Sequence, residues 1–275
     1  MTDLEHDNAW RRFWSRGGFW RALLAAVVYL ALYLGSGLLI GRLFGSQIDT
    51  KNILATGPSV FFAIALPVIV GSIILSIFAL TLGWFRPLFA RQPIRGSWWM
   101  WIAPALVAIA ILLRLFGIDY ARYSVSAVVF MFVAGIFVGF AEEFLTRGLA
   151  VKMLRDSGKS EWVVMVLSSL IFAVLHSTNI LSGQAPLTVL VTVGFTFGFG
   201  ILMYLTLRVT GNLIWPIIIH ALYDPTQFLS TGGIDVAATG AQSPLLVLAG
   251  PANLVFVVFA IIALIFVRGR VHKTA

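Results

Sequence analysis

Six stretches of this chain carry no Asp, Glu, Lys or Arg: residues 22–41, 57–85, 96–113, 124–141, 162–207 and 236–267. A helix needs roughly 20 apolar residues to cross a hydrocarbon core about 30 Å thick. Each stretch is long enough for one crossing, and 162–207 for two, divided by the polar, breaker-rich segment 177–186. A further apolar segment begins after Thr210-Gly211 and carries His220. The expectation is an all-α, polytopic transmembrane helical bundle of about eight helices, at 20–44, 58–85, 98–117, 124–155, 161–178, 187–208, 212–229 and 245–267. Composition agrees, because a 275-residue chain that is 60% hydrophobic and 11% charged has lipid for its solvent. The whole of 1–275 reads as a single membrane domain without linker or low-complexity tract.

The net charge of +8 does not point to nucleic acid, since the cations are scattered through short loops instead of gathering on one face. They set topology. With a cytoplasmic N-terminus and eight crossings, only Arg42, Lys51, Arg114 and Arg122 fall outside, and the other 15 of the 19, from Arg11 to Lys273, fall inside. Both termini are therefore expected in the cytoplasm. The chain has no cysteine, which excludes disulfides and thiolate chemistry. The apolar run after Arg21 is too long for a signal peptide and reads as a retained first helix. Short loops and the lack of organellar targeting suit a multi-pass protein of a bacterial inner (plasma) membrane. Trp10 to Arg21 reads as an interfacial stretch. Gly194, Gly198 and Gly200 give the sixth helix a small-residue packing face.

Ionisable residues at membrane depth are expensive and need a partner or a task. Those here are Glu142, Glu143 and Arg147 on the fourth helix, His176 on the fifth, and His220 with Asp224 on the seventh. Glu143 and Arg147, four apart, share a face and are expected to form a structural ion pair. Glu142 is rotated about 100° from Glu143 and is free to face a cavity. If the fourth helix continues to Arg155, Glu142 lies about 20 Å from its cytoplasmic end, His176 about 21 Å from Trp162 and His220 about 14 Å from Gly211. The three can then meet near mid-membrane, on condition that the helix runs through a buried Arg147. Pro225 is expected to disturb the seventh helix and turn Asp224 toward the cavity.

These residues resemble the motifs of the CPBP family of intramembrane proteases, which includes the Rce1-like CAAX prenyl endopeptidases. The matching positions are Glu142-Glu143 with Arg147, Phe172 with His176, and His220 with Asp224, and the resemblance covers the core at 124–229. It implies a bundle with a cavity reached from cytoplasm and lipid. It also implies hydrolysis of a peptide bond near the C-terminus of a membrane-bound substrate, at least in the prenyl-processing members. On this reading Glu142, His176, His220 and Asp224 are catalytic, with Glu143, Arg147 and Phe172 in support. Glu142 and His176 activate a water and His220 helps to stabilise the oxyanion. Members with Asn at the last position have a side-chain donor there that Asp224 lacks unless protonated, which leaves orienting His220 or joining a metal shell as its roles.

Glu142, His176 and His220 also match the donor set of a catalytic zinc site, although the helix-borne HExxH signature is absent, so zinc and metal-free glutamate chemistry both stay open. The expected partners are the lipid bilayer and a membrane-associated protein or peptide substrate. Two other readings compete: a proton-coupled transporter that uses the same residues as a relay, and a catalytically silent scaffold or bacteriocin-immunity protein of the same fold.

Overall fold

The computed structural model describes residues 8–234, 236, 238 and 241–271, so Lys273 lies outside the described residues. Among the described residues the structure is helical without strands, and Ser160 and Arg270 form only an isolated bridge. The membrane helices are α1 (Phe19–Gln47), α2 (Gly57–Thr81), α3 (Trp98–Gly117), α4 (Val125–Asp156), α5 (Glu161–Ser182), α6 (Pro186–Thr210), α7 (Ile214–Thr231) and α8 (Pro244–Phe266). Sequence chemistry sets several of their ends. The hydroxyls of Ser124, Ser160 and Ser243 accept from backbone N–H groups in the first turns of α4, α5 and α8, satisfying donors that lipid could not. At the other end of α6, Gly211 takes a left-handed φ of 73° that only glycine adopts without strain.

Among the described residues, seven of these helices are long and apolar enough to cross a membrane, not the eight expected. The exception is α7, in which His220, Asp224 and Gln227 dilute the apolar signal. It nevertheless runs from one face of the bundle to the other, packed on α4, α3 and α6. Near its start the Gly211 carbonyl accepts from the Gln92 N–H at 2.9 Å, and near its end the Leu229 carbonyl accepts from the Tyr123 hydroxyl at 2.7 Å.

The two faces sort as the charges require. On one, Gly18 N–H donates to the Met153 carbonyl at 2.7 Å and Glu161 N–H to the Gly269 carbonyl at 2.9 Å, so the entry to α1 and the exit from α8 lie together. On the other, the Ser243 hydroxyl donates to the Gly117 carbonyl at 2.8 Å. The first face carries most of the cations and is the inner one by the charge rule.

Several of those cations are not loop charges. Arg155 and Arg208 are buried around a fully buried Glu161. Arg155 binds both carboxylate oxygens at 2.8 and 2.7 Å, Arg208 binds at 3.1 Å, and the Tyr204 hydroxyl donates to the same carboxylate. This network ties the inner ends of α4, α5 and α6 together. Arg114, expected in an outer loop, is also buried, with its guanidinium 4.8 Å from the centre of the Tyr223 ring.

The short helix Ala9–Ser15 does more than lie along headgroups. Its Trp14 is buried against Phe78, and the Trp10 indole donates to Thr81 at 3.1 Å, which docks the segment on the inner end of α2. Of the small-residue face on α6, Gly198 meets Val257 of α8 and Gly200 meets Arg147, but Gly194 faces open space.

Candidate active site

Everything in the site depends on α4 continuing past its two glutamates, and it does. The α-helix Val125–Glu143 passes into a π-helical stretch, Phe144–Ala150, and returns to α-helix over Val151–Asp156. Such wider turns are rare and recur at functional sites, where they shift the register of the side chains that follow. Here the register carries Arg147 inward, leaving it 1% exposed. Its guanidinium donates to Glu143 Oε1 at 3.2 Å, to the Thr146 hydroxyl and to the Gly200 carbonyl at 2.8 Å. It also stacks 4.6 Å from the centre of the Phe172 ring. The absence of a side chain at Gly200 makes this possible, since a Cβ there would stand 3.0 Å from Arg147 Nη2.

Glu143 has a second contact that sequence reasoning did not assign. His220 of α7 directs Nδ1 to the same Oε1 atom at 2.7 Å. A carboxylate only accepts, so this nitrogen carries a proton and the ring is fixed with Nε2 pointing away. Glu143 therefore does more than balance Arg147. It orients His220, a task the sequence left to Asp224.

Two glycines bring α7 this close. A Cβ at Gly139 would lie 2.6 Å from Ala221 N and 2.7 Å from Ile217 O, and one at Gly135 would collide with Ala221 and Pro225. The sequence signal existed, namely two glycines four apart in the turns just before Glu142. Pro225 lies within an uninterrupted Ile214–Thr231 helix, so the expected disturbance does not end it.

Beyond His220 Nε2 stand the other two acids. Glu142 Oε2 lies 3.6 Å away and Asp224 Oδ2 3.5 Å away. Glu142 is partly exposed where Glu143 is fully buried, as their rotation about the helix requires. Its Oε2 has no hydrogen-bond partner. Glu142 and His176 both border a cavity of about 130 Å³, with Tyr29, Tyr33 and Asn179 among its other walls. His176 Nδ1 lies 3.0 Å from the Phe172 carbonyl. A carbonyl accepts only, so Nδ1 holds a proton and donates it to Phe172 O. Tyr29 and Tyr33 were missed, although two tyrosines four apart in an otherwise aliphatic run of α1 were visible.

The structure thus brings Glu142, Glu143, Arg147, Phe172, His220 and Asp224 into one connected cluster, and places His176 across the cavity from α1. The zinc alternative fits poorly. Among the described residues no three His, Asp or Glu side chains are arranged to hold a metal.

Residues 124–226 match the family model described as type II CAAX prenyl endopeptidase Rce1-like. This core segment is similar to that family. The match covers less than half of the chain, within a multi-pass bundle of apolar helices. It spans all three motifs read from the sequence. No curated protein and no solved structure matches the chain.

Proposed function

We propose that this protein hydrolyses a peptide bond of a membrane-associated protein or peptide, using a water activated by Glu142 and His176. The observation that carries the reading is Glu142 Oε2, an unpartnered carboxylate oxygen 3.6 Å from His220 Nε2 on a residue that borders the same cavity as His176. Held away from bulk water, such a carboxylate is a good general base. His176 accepts a hydrogen bond from the water through Nε2 and so aligns it. As the water oxygen bonds to the substrate carbonyl carbon, Glu142 takes the water proton and the carbonyl π electrons move onto oxygen. His220 donates to that oxygen through Nε2 when both ring nitrogens carry protons. Collapse re-forms the carbonyl, breaks the C–N bond and returns the proton from Glu142 to the departing amine. Asp224, near His220 Nε2 on the side away from Glu143, supports that proton. Glu143 and Arg147 position His220 and do not touch the substrate. No step is routed through a metal.

The short loops and the cationic inner face suit a bacterial inner membrane, where we place the protein. The test compares cleavage of a membrane-tethered reporter peptide by the wild type, Glu142→Ala and His176→Ala. Glu142→Ala is expected to lower turnover at least ~100-fold, the lower range for loss of a general base. Cleavage that survives both substitutions overturns the mechanism, and a folded wild type that cleaves no tethered peptide overturns the peptidase reading.

A further inference from the structure

A larger concavity than the cavity beside Glu142 lies elsewhere on the molecule. A cleft of about 710 Å³ opens on the inner face between residues 87–94, the inner half of α4 and Arg270. Glu142, His176 and His220 do not border it. Five cations do: Arg91, Arg147, Lys152, Arg155 and Arg270, against one acid, Asp156.

Most of this charge is engaged. Arg147 is committed to Glu143 and Gly200, Arg155 to Glu161 and Gln92, and Lys152 to Asp156 at 2.8 Å. That last pair cancels the only acid in the cleft. Arg91 and Arg270 are different, being exposed and lacking a hydrogen-bond or ion-pair partner among the described residues. They lie 179 residues apart in the sequence and share one cleft.

We propose that this cleft binds the phosphate group of an anion, either an acidic phospholipid headgroup or free phosphate, between Arg91 and Arg270. Three features favour it over the ordinary role of inner-face cations in setting topology. The cleft is concave and both arginines line it, whereas Arg86 and Arg268 are exposed on the same face and do not line it. Guanidinium groups match phosphate oxygens in paired hydrogen bonds. The cleft also lies at the level where the inner ends of the helices meet headgroups, and basic pockets between membrane helices on this side capture lipid phosphates. Its floor is rigid, because Arg155 is locked against Glu161 by two hydrogen bonds.

The test uses the full chain. One arm measures retention of phosphatidylglycerol by native mass spectrometry after reconstitution in phosphatidylcholine discs containing a minor fraction of that lipid. The other titrates inorganic phosphate into detergent-purified protein by calorimetry. Each arginine near the surface contributes about 1 kcal/mol toward an anionic headgroup, so Arg91→Gln with Arg270→Gln should weaken binding about 30-fold. The matched double variant, Arg86→Gln with Arg268→Gln, removes the same charge and should leave binding unchanged. Both double variants replace exposed side chains, and retained thermal stability confirms their folding. Phosphatidylglycerol binding without phosphate binding supports a lipid site, and binding of both supports a site for phosphate itself. Equal weakening in the two double variants, or no saturable binding in either arm, overturns the proposal.

Discussion

Gly139→Ala adds one methyl group at the packing face between α4 and α7, and it should nearly abolish cleavage. The added Cβ would stand 2.6 Å from Ala221 N and 2.7 Å from Ile217 O. Both neighbours are backbone, so no rotamer change relieves the contact. Ordinary contact begins at 3.4 Å, so α7 must retreat from α4 by roughly 0.8 Å. His220 precedes Ala221 and moves with it, lengthening the 2.7 Å bond that Glu143 makes to Nδ1. Two opposing terms act on stability: alanine favours a helix over glycine by about 1 kcal/mol, and overpacking costs about 1–3 kcal/mol. The net change in folding is therefore small, no more than about 2 kcal/mol. Activity has no such offset, because a misplacement near 1 Å costs about 100-fold. Reporter cleavage and thermal unfolding, measured on the same preparation, separate the two effects. Gly194→Ala is the control, since its Cβ would meet nothing within 4 Å. Wild-type cleavage by a folded Gly139→Ala protein would refute the claim that close approach of α7 to α4 sets the position of His220.

Two further substitutions or treatments probe other parts of the molecule. Glu161→Gln leaves Arg155 and Arg208 buried without their counter-ion, which should cost about 3–5 kcal/mol of stability. At a temperature where the variant stays folded, its cleavage rate should match the wild type, because Glu161 does not border the cavity; unchanged unfolding would show that the network contributes little. Chelation of divalent metals from active, detergent-purified protein should leave cleavage unchanged, and a loss restored by zinc would require a metal-bound arrangement of Glu142, His176 and His220.

The sequence was most legible where lipid imposes its own rule. Runs without charge had to become helices, and most helix ends fell within a few residues of their expected positions; α4, for example, spans Val125–Asp156 against an expected 124–155. Helix α7 blurred the rule because the polar side chains that equip it for the site also dilute its apolar signal. In the site, spacing of four correctly paired Glu143 with Arg147, since both lie on one helix. What spacing cannot encode is contact between helices. The bond from Glu143 to His220 crosses from α4 to α7, and the tyrosines that wall the cavity come from α1. The π-helical stretch at Phe144–Ala150 left no mark in composition either, because it reflects the packing of Arg147 into the bundle and not a preference of its own residues.

The two adjacent glutamates carry the larger point. They are the same residue one position apart, yet Oε1 of Glu143 takes up both Arg147 and His220, whereas Glu142 borders the cavity with its Oε2 3.6 Å from His220 Nε2. The rotation of about 100° between neighbours on a helix is enough to send one into the packed interface and the other to the cavity wall. The carboxylate that takes up two partners anchors them, and the one that borders the cavity is placed to meet a water. Exchanging their roles would require turning α4 about its axis, which the glycine contacts with α7 forbid. The division of labour between Glu142 and Glu143 is therefore fixed by helix packing in the two turns before them, and the chemistry of the site is inseparable from the glycines that set its spacing.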